Sequence, residues 1–300
     1  MVKQYGNLYL DTRRALIGVE DPDTAGMVAR YLICWVSGKT QEYILSHKEI
    51  YAPEEVCRGV EEGLQRLLKE EPLPYVLGEW EFYGLPLYVT KDVLIPRDDT
   101  CAVAEMAINK ALFLKQDPRV LDLCCGSGCI GIAIASRVKD ARVTLGDLSP
   151  AALAIAKKNV QRHHLGSKAS CVRMDALKTA PAFLGKFDMI VSNPPYVTGE
   201  EMKLLPTSVR DFEPHMALYG GEDGLDFYRS IAENSRTVLK PGGYLLFEFG
   251  MDQGDAVCEI LRSNGYTILE RKKDYNDRER AVMAQYGREE EDYGNEKDGL

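Results

Sequence analysis

The chain runs Asp122-Leu123-Cys124-Cys125-Gly126-Ser127-Gly128-Cys129-Ile130-Gly131 where a strand-like segment, Val120–Leu123, gives way to a helix-like one. The three glycines let the backbone turn sharply and approach a ligand closely. From residue 119 onward, strand-like and helix-like segments alternate. This alternation predicts βαβ units and a parallel sheet with helices on both faces. The sequence therefore indicates an α/β fold with a ligand site at this loop.

Further elements follow at regular intervals. Two strand-like runs near the end of the chain, Tyr266–Arg271 and Ala281–Tyr286, have only a polar loop between them and predict an antiparallel pair at the sheet edge. The other predicted strands are Arg142–Asp147, Ala169–Met174, Phe187–Ser192 and Tyr244–Phe249. The predicted helices are Pro150–His163, Leu225–Leu239 and Gln253–Ser263.

The residues before this α/β region have a different character. Apolar residues recur at helical spacing in two stripes, which predicts a small helical domain over residues 1–74. Asp23 is the expected N-cap of the first of these helices, and Gly38 follows its end. Alternating aromatic and β-branched residues around Gly84 predict a β-hairpin within a linker, 75–98. The α/β domain then covers 99–286, and an acidic disordered tail covers 287–300. The two stripes are Met27, Val28, Tyr31, Leu32 and Trp35, and Val56, Val60, Leu64, Leu67 and Leu68.

Composition narrows the class of protein. The 300 residues carry a net charge of −9, of which −4 belongs to residues 287–300. Proteins that grip phosphate backbones usually have a basic excess, so nucleic acid is an unlikely main partner. No apolar run is long enough to span a membrane, and the N-terminus has no apolar signal core, so a cytoplasmic protein without a membrane partner is expected. The eight cysteines predict reduced thiols, and with four histidines a metal site is not expected.

Two acids indicate which nucleotide the glycine loop binds. Asp147 ends the next strand, where an acid can bind a ribose diol, so the loop and Asp147 alone also fit NAD. Asp122, four residues before Gly126, would oppose a pyrophosphate but suits a ligand with a cationic amino group. This favours S-adenosylmethionine, which has an ammonium, a sulfonium and a ribose but no phosphate. Asp175, after the third strand, is placed to meet the adenine.

The strand Phe187–Ser192 delivers a second motif, Asn193-Pro194-Pro195-Tyr196, at its carboxyl end. The two prolines fix the backbone and present it stiffly. The Asn193 side-chain oxygen and the Pro194 carbonyl can accept both hydrogens of a planar NH2 group, and Tyr196 offers it a flat face. Together with the glycine loop, this motif predicts methylation of a planar NH2 on adenine, cytosine or glutamine.

The chain resembles the HemK/PrmC family of protein-glutamine methyltransferases. The resemblance rests on several segments, and the hairpin and Ile95-Pro96-Arg97 are more specific than the four-residue motif. The matching segments are Pro74-Tyr75-Val76-Leu77-Gly78, Glu81-Phe82-Tyr83-Gly84, Val93-Leu94-Ile95-Pro96-Arg97, the glycine loop, Ser192 to Tyr196, Phe212-Glu213-Pro214, Asp274-Tyr275 and Asp277-Arg278-Glu279-Arg280.

The resemblance implies a seven-stranded Rossmann-like, S-adenosylmethionine-dependent methyltransferase fold with a small N-terminal helical domain and a linking β-hairpin. It implies methyl transfer to the glutamine amide in the Gly-Gly-Gln motif of peptide chain release factors, with S-adenosylhomocysteine as product, no metal, and helices 1–74 docking the release factor. Asn193, Pro194 and Tyr196 would be catalytic. With Pro195 they would hold the glutamine, and Phe82 would wall the pocket. The cofactor would be held by Asp122, Cys124, Cys125, Gly126, Ser127, Gly128, Asp147, Leu148, Asp175, Ala176 and Asn193.

The chain departs from the family pattern in two places. Cys124-Cys125 replaces the usual Gly-Thr, and cysteine lacks the freedom of glycine at positive φ. Cys101 stands where the family has an acid. The alternatives are an N(6)-adenine methyltransferase acting on nucleic acid, an NAD-dependent oxidoreductase and a non-enzymatic binding module. Labelled cofactor offered with protein or nucleic acid, calorimetry with each cofactor, and Asn193→Ala in cells distinguish them.

Overall fold

The computed structural model describes residues 2–114 and 117–287. They form two compact units, one made of residues 2–80, 89–91 and 205–213 and the other of the remaining described residues. Beyond Gly287, the predicted acidic tail lies outside the described residues. No helix within the described ranges is both long and apolar enough to cross a bilayer.

The first unit is helical. Its helices α1 to α5 are Tyr5–Leu16, Pro22–Ser37, Gln41–Ser46, Glu54–Leu67 and Leu73–Leu77. Helix α2 begins after Asp21, whose carboxylate accepts the N–H groups of Asp23 and Thr24, and it ends at Gly38 with φ of +63°. The prediction of Asp23 as N-cap is therefore wrong. Pro22 takes the first helical position, where a missing N–H costs nothing, and moves the cap back to Asp21.

Helix α2 buries only part of its predicted apolar stripe. Val28 and Leu32 are buried, but Met27, Tyr31 and Trp35 are 44–51% exposed. The helix turns Ala25, Ala29 and Ile33 inward instead, so its apolar residues occupy two faces. The stripe on α4 behaves as helical spacing predicts, because Val56, Val60, Leu64 and Leu67 are buried.

The predicted hairpin is a two-stranded sheet of β1 (Glu79–Phe82) and β2 (Leu85–Tyr88). Its turn residues, Tyr83 and Gly84, both have positive φ, as the commonest two-residue hairpin turn requires.

The second unit contains a seven-stranded sheet with the order β5-β4-β3-β6-β7-β9-β8. The first five strands in this order are parallel to one another, β9 is antiparallel to β7, and β8 is antiparallel to β9, which confirms the α/β fold class and the closing pair. Strands β3 to β9 are Arg119–Leu123, Arg142–Asp147, Ala169–Arg173, Phe187–Ser192, Leu239–Glu248, Tyr266–Lys273 and Glu279–Tyr286. Helices α6 to α12 are Cys101–Leu112, Cys129–Arg137, Pro150–Arg162, Gly199–Leu204, Thr207–Arg210, Asp226–Ser235 and Gly254–Ser263; α10 belongs to the first unit.

Strand β7 begins earlier than predicted. The sequence suggests a helix as far as Leu239, yet α11 ends at Ser235 and the strand starts at Leu239. The pairing with β6 shifts register between Phe187 and Met189, opposite the interruption Pro241-Gly242-Gly243. This irregular segment hides the start of the strand from the sequence pattern.

The sheet is apolar on both faces. Val120, Met189 and Val191 belong to a core shared with α6, α7 and α8, whereas Leu121 and Ile190 belong to a core shared with α11 and α12. Consecutive strand residues therefore face opposite layers, as strand geometry demands. Val120 and Asp122, two residues apart in β3, therefore lie on the side of the sheet that α7 covers.

Candidate active site

The carboxyl ends of β3, β4 and β6 open on one cleft in the second unit. Adjacent parallel strands end at the same edge of a sheet, where open α/β folds bind ligands. The cleft holds about 750 Å³ of empty space, open solvent included. Its lining residues are Asp92, Val93, Leu94, Leu123, Cys124, Gly126, Asp147, Leu148, Ser149, Ala152, Met174, Asp175, Ala176, Leu177, Asn193, Pro195, Pro214, Met216, Ala217 and Phe227.

The glycine loop follows β3 with three residues at positive φ. Cys124 has φ of +61°, Gly126 +54° and Gly128 +82°. A Cβ on Gly126 would meet no atom of the described residues within 4 Å, its two chain neighbours apart, so at this point the backbone itself borders open space. Cys124 thus adopts the backbone conformation that favours glycine, with its side chain half-buried at the edge of the cleft.

Asp147 ends β4 and faces the loop. One carboxylate oxygen accepts the Gly126 N–H at 2.9 Å, and the other accepts the Ser149 N–H at 2.9 Å. Burial raises the pKa of Asp147, although these N–H groups act to lower it. Each oxygen keeps a further lone pair that can accept a ligand hydroxyl. Leu148, the next residue, is 42% exposed in the cleft.

Asp122 lies beneath the loop and does not line the cleft. Its Oδ2 accepts the N–H of Gly131, in the first turn of α7, at 2.8 Å. Its Oδ1 is buried and has no hydrogen-bond partner among the residues that the structure describes. Burial raises the pKa of Asp122 to about 7.

The corner after β5 contributes Asp175 and Ala176 to the cleft. One oxygen of Asp175 accepts the Leu177 N–H at 3.0 Å, and the other pairs with Lys178 at 3.1 Å. Asp175 therefore also stabilises its own turn.

The Asn193–Tyr196 corner meets the glycine loop at this cleft. The Ser192 hydroxyl donates to the Leu123 carbonyl at 2.6 Å, which ties the end of β6 to the end of β3. Asn193 and Pro195 line the cleft together with Cys124 and Gly126.

A second segment packs tightly behind this corner. The Tyr196 carbonyl accepts a hydrogen bond from Gln253 at 3.0 Å. A Cβ on Gly220 would lie 2.6 Å from the Pro195 carbonyl oxygen, and one on Gly224 would lie 2.3 Å from the Tyr196 carbonyl oxygen. These contacts leave the corner little room to move.

Several residues predicted for the site do not line the cleft. Phe82 is 3% exposed and lies in the core shared with α6 and α7, while the half-buried Tyr196 packs on the core shared with α11, and burial raises its pKa. Asp122, Cys125, Ser127, Gly128 and Pro194 are also absent from the lining. Sequence reasoning missed Leu94, Pro214, Met216 and Phe227, none of which follows a parallel strand; Phe227 lies in the first turn of α11.

The charged residues that line the cleft are all acidic. Three aspartates, Asp92, Asp147 and Asp175, line it, and none of the lining residues is lysine, arginine or histidine. Within the described ranges, no group of three histidine, cysteine or acidic side chains is arranged to hold a metal ion.

The seven-stranded sheet, the glycine loop after β3 and the corner after β6 define a Rossmann-like methyltransferase. Residues 104–210 match the model of the methyltransferase small domain, and residues 13–78 match that of the PrmC N-terminal domain. A methyltransferase structure from Pyrococcus furiosus is similar in fold, with a TM-score of 0.51 at 16% identity over 76% of this chain and 100% of that one.

The chain belongs to the family of release factor glutamine methyltransferases, which confirms the resemblance seen in the residues. It is 37% identical to the release factor glutamine methyltransferase of Clostridium acetobutylicum, over 86% of this chain and 90% of that one. It is 36% identical to the one from Geobacter sulfurreducens, over 93% and 95%.

Proposed function

We propose that this chain transfers a methyl group from S-adenosylmethionine to the side-chain amide nitrogen of the glutamine in the Gly-Gly-Gln motif of peptide chain release factors. The family to which the chain belongs is named for this reaction. One structural observation carries the proposal: Asn193 and Pro195 line the same cleft as Cys124, Gly126 and Asp147. An amide held at the corner therefore lies beside a nucleoside held at the loop.

The charges of the cleft fit this cofactor. S-adenosylmethionine supplies a methyl group on a positively charged sulfur and leaves as S-adenosylhomocysteine. In this proposal Asp147 binds the ribose hydroxyls, and Asp175 and Ala176 contact the adenine. The loop from Cys124 to Gly128 contacts the remaining part of the cofactor. A lining with three acids and no base opposes a pyrophosphate, which argues against NAD.

The corner residues hold and orient the accepting amide. The Asn193 Oδ1, in the cleft lining, accepts one of its hydrogens, and the backbone carbonyl of the next residue, Pro194, which is buried behind the lining, is proposed to accept the other. The nitrogen lone pair is then directed towards the methyl group. One amide hydrogen leaves as a proton after the N–C bond has formed, so a strong general base is not needed. Positioning two reactants in this way can contribute roughly 7–11 kcal/mol.

Mass spectrometry of a release factor before and after treatment tests the reaction directly. We expect one added methyl group on the Gly-Gly-Gln peptide. Asn193→Ala should cost about 2–4 kcal/mol of transition-state stabilisation, as the loss of one preorganised polar partner does, with little change in cofactor affinity. Asn276→Ala, at an exposed asparagine, is the matched control. Label from the cofactor that appears only in DNA or RNA would instead establish a nucleic-acid methyltransferase.

Asp147→Ala should show the opposite pattern. It removes the carboxylate that faces the loop, so the cofactor dissociation constant should rise while turnover of bound cofactor changes less. Calorimetry and single-turnover kinetics separate the two. If Asn193→Ala mainly weakens cofactor binding, the roles assigned to the corner and the loop are wrong.

Helices 1–74 are proposed to dock the release factor. The exposed side chains of Met27, Tyr31 and Trp35 on α2 support this role, because large apolar groups exposed on one helix often mark a protein contact. Tyr31→Glu should raise KM for an intact release factor but not for a Gly-Gly-Gln peptide. A cytoplasmic location suits this substrate and the eight unpaired cysteines.

A further inference from the structure

Glu248 is a buried carboxyl group next to the substrate corner that the proposed reaction does not yet use. It is the last residue of β7, the neighbour of β6, and its exposed fraction is 2%. Its backbone carbonyl accepts the Tyr228 hydroxyl at 3.0 Å. A buried acid is costly unless its oxygens have partners, so its surroundings need an explanation.

Glu248 follows Phe247, the residue paired with Ser192, so it lies beside Asn193 where β7 and β6 end. The Thr100 and Asn193 side chains act as hydrogen-bond donors that lower the pKa of its carboxyl group, and among the described residues its Oε2 is buried without a partner. The Asn193 Nδ2 also donates to the Thr100 Oγ1 at 3.4 Å. The donor end of the Asn193 amide therefore points towards Thr100 and Glu248. Because the amide is planar, its Oδ1 end points away from them.

The order of donors in this chain depends on Glu248. An ionised carboxylate only accepts hydrogen bonds, so the Thr100 hydroxyl donates its hydrogen to Glu248. The Thr100 Oγ1 is then free to accept the hydrogen bond from the Asn193 Nδ2. Turning the Asn193 amide over would place Oδ1 against two acceptors and present NH2 to a substrate NH2. In this flipped orientation neither the Oδ1 contact nor the NH2–NH2 contact is a hydrogen bond.

We propose that Glu248 is a positioning residue for methyl transfer, which holds the Asn193 amide, directly and through Thr100, with Oδ1 turned to the methyl-accepting nitrogen. The inference rests on the proposed function, because it takes Asn193 as the residue that receives the substrate amide. Glu248 itself does not touch the substrate.

The ionisation of Glu248 should then control turnover. Burial raises the pKa of Glu248 to about 7, against the lowering effects of Thr100 and Arg280. Below that pH the group becomes a donor as well, and the order of the hydrogen bonds is no longer fixed. The charged or titratable groups near Glu248 are Arg280, Asp99, Tyr196, Tyr228, Cys101 and Cys129.

Glu248→Gln tests the role without changing the shape of the side chain. We expect kcat for the Gly-Gly-Gln peptide to fall about 10- to 100-fold, somewhat less than for losing a preorganised partner outright. KM and the cofactor dissociation constant should change little. Thr100→Val should reproduce the loss, and Thr100→Ser, which keeps the hydroxyl, should restore most of the activity. Glu105→Gln, at an acid paired with Lys272, is the control and should match the parent.

The pH profile separates positioning from mere stability. In the parent, kcat should fall as the pH drops below about 7, and Glu248→Gln should lack this decline. The pKa of Asp122 is also raised to about 7, so the informative quantity is the difference between the two profiles. Equal kcat and equal profiles in an active enzyme would overturn the proposal, as would a loss confined to cofactor affinity.

Side-chain NMR gives a readout that needs no substrate. The 15N and 1H resonances of the Asn193 amide should move with pH in the parent protein and stay fixed in Glu248→Gln. If this response appears but no release factor is methylated, the proposed function fails and the positioning contact stands. If the factor is methylated and the amide does not respond, the positioning role fails alone. Should Glu248→Gln not fold, the Thr100→Val and Thr100→Ser pair decides by the same measurements.

Discussion

Replacing Cys124 with glycine should relieve backbone strain in the loop that borders the cleft. Cys124 has φ of +61°, a conformation that costs a residue with a Cβ roughly 1–2 kcal/mol. Glycine avoids that cost but loses about 0.5–1 kcal/mol more backbone entropy on folding than alanine does. Comparing Cys124→Gly with Cys124→Ala therefore isolates these two effects, because both variants lack the thiol.

Cys125 provides the matched control. It is the next residue, it is buried, and it has no positive φ. At Cys125 the glycine variant should be less stable than the alanine variant by about 0.5–1 kcal/mol. When the Gly–Ala differences at the two sites are subtracted, the entropy of glycine cancels. The left-handed term of about 1–2 kcal/mol remains, with glycine favoured at 124.

The assay must report on the second unit. Both tryptophans, Trp35 and Trp80, lie in the first unit, so tryptophan fluorescence would follow the wrong part of the protein. Hydrogen–deuterium exchange of the amides in β3 and β6 follows the correct one. A difference of 1–2 kcal/mol changes the opening equilibrium by a factor of about 5–30. If the Gly–Ala difference is the same at both sites, the loop stores no strain at Cys124.

Two further predictions concern polar groups that hold the second unit together. Asn159 is fully buried, accepts the Tyr88 N–H at 2.7 Å and donates to the carbonyls of Tyr88 and Ser127 at 3.0 and 2.9 Å. Asn159→Asp removes both donated hydrogen bonds and should lower the free energy of unfolding of the second unit by about 2–4 kcal/mol. Urea unfolding followed by circular dichroism measures this loss. Burial raises the pKa of Asp274, but hydrogen bonds from backbone N–H groups and Arg280 outweigh it and lower the pKa below the ordinary 3.8. The stability that Asp274 contributes is thus complete above about pH 4 and is lost as pH falls further, so the parent and Asp274→Asn should differ in unfolding midpoint at neutral pH and converge in acid.

Much of the fold follows from local patterns. The closing pair was predictable because no helical segment separates its two strand-like runs, and the hairpin because its turn contains Gly84. One error arose where a single segment satisfies two patterns. Helix α2 has apolar residues on two faces, so periodicity cannot say that Trp35 stays exposed while Ile33 is buried.

The site residues that end or follow a parallel strand were predictable from the sequence. Asp147, Asp175 and Asn193 each follow or end a parallel strand, and all three line the cleft. Glu248 ends β7 by the same rule; the predicted strand Tyr244–Phe249 contained it but ended one residue later, at Phe249. Phe227 and Met216 could not be predicted, because neither follows a parallel strand and only the tertiary fold brings them to the cleft.

Asp122 shows why a correct motif does not fix the role of each of its residues. All of Val120 to Leu123 are buried, since a parallel sheet is covered on both faces, and the sequence therefore does not show which way Asp122 points. In the structure it faces α7 and accepts the Gly131 N–H, at a helix N-terminus that favours negative charge. A Cβ on Gly131 would lie 2.9 Å from that oxygen and 2.3 Å from the Leu145 side chain. The acid and the third glycine thus form one contact that holds the first turn of α7 against β3, and the loop between them takes its shape from that contact.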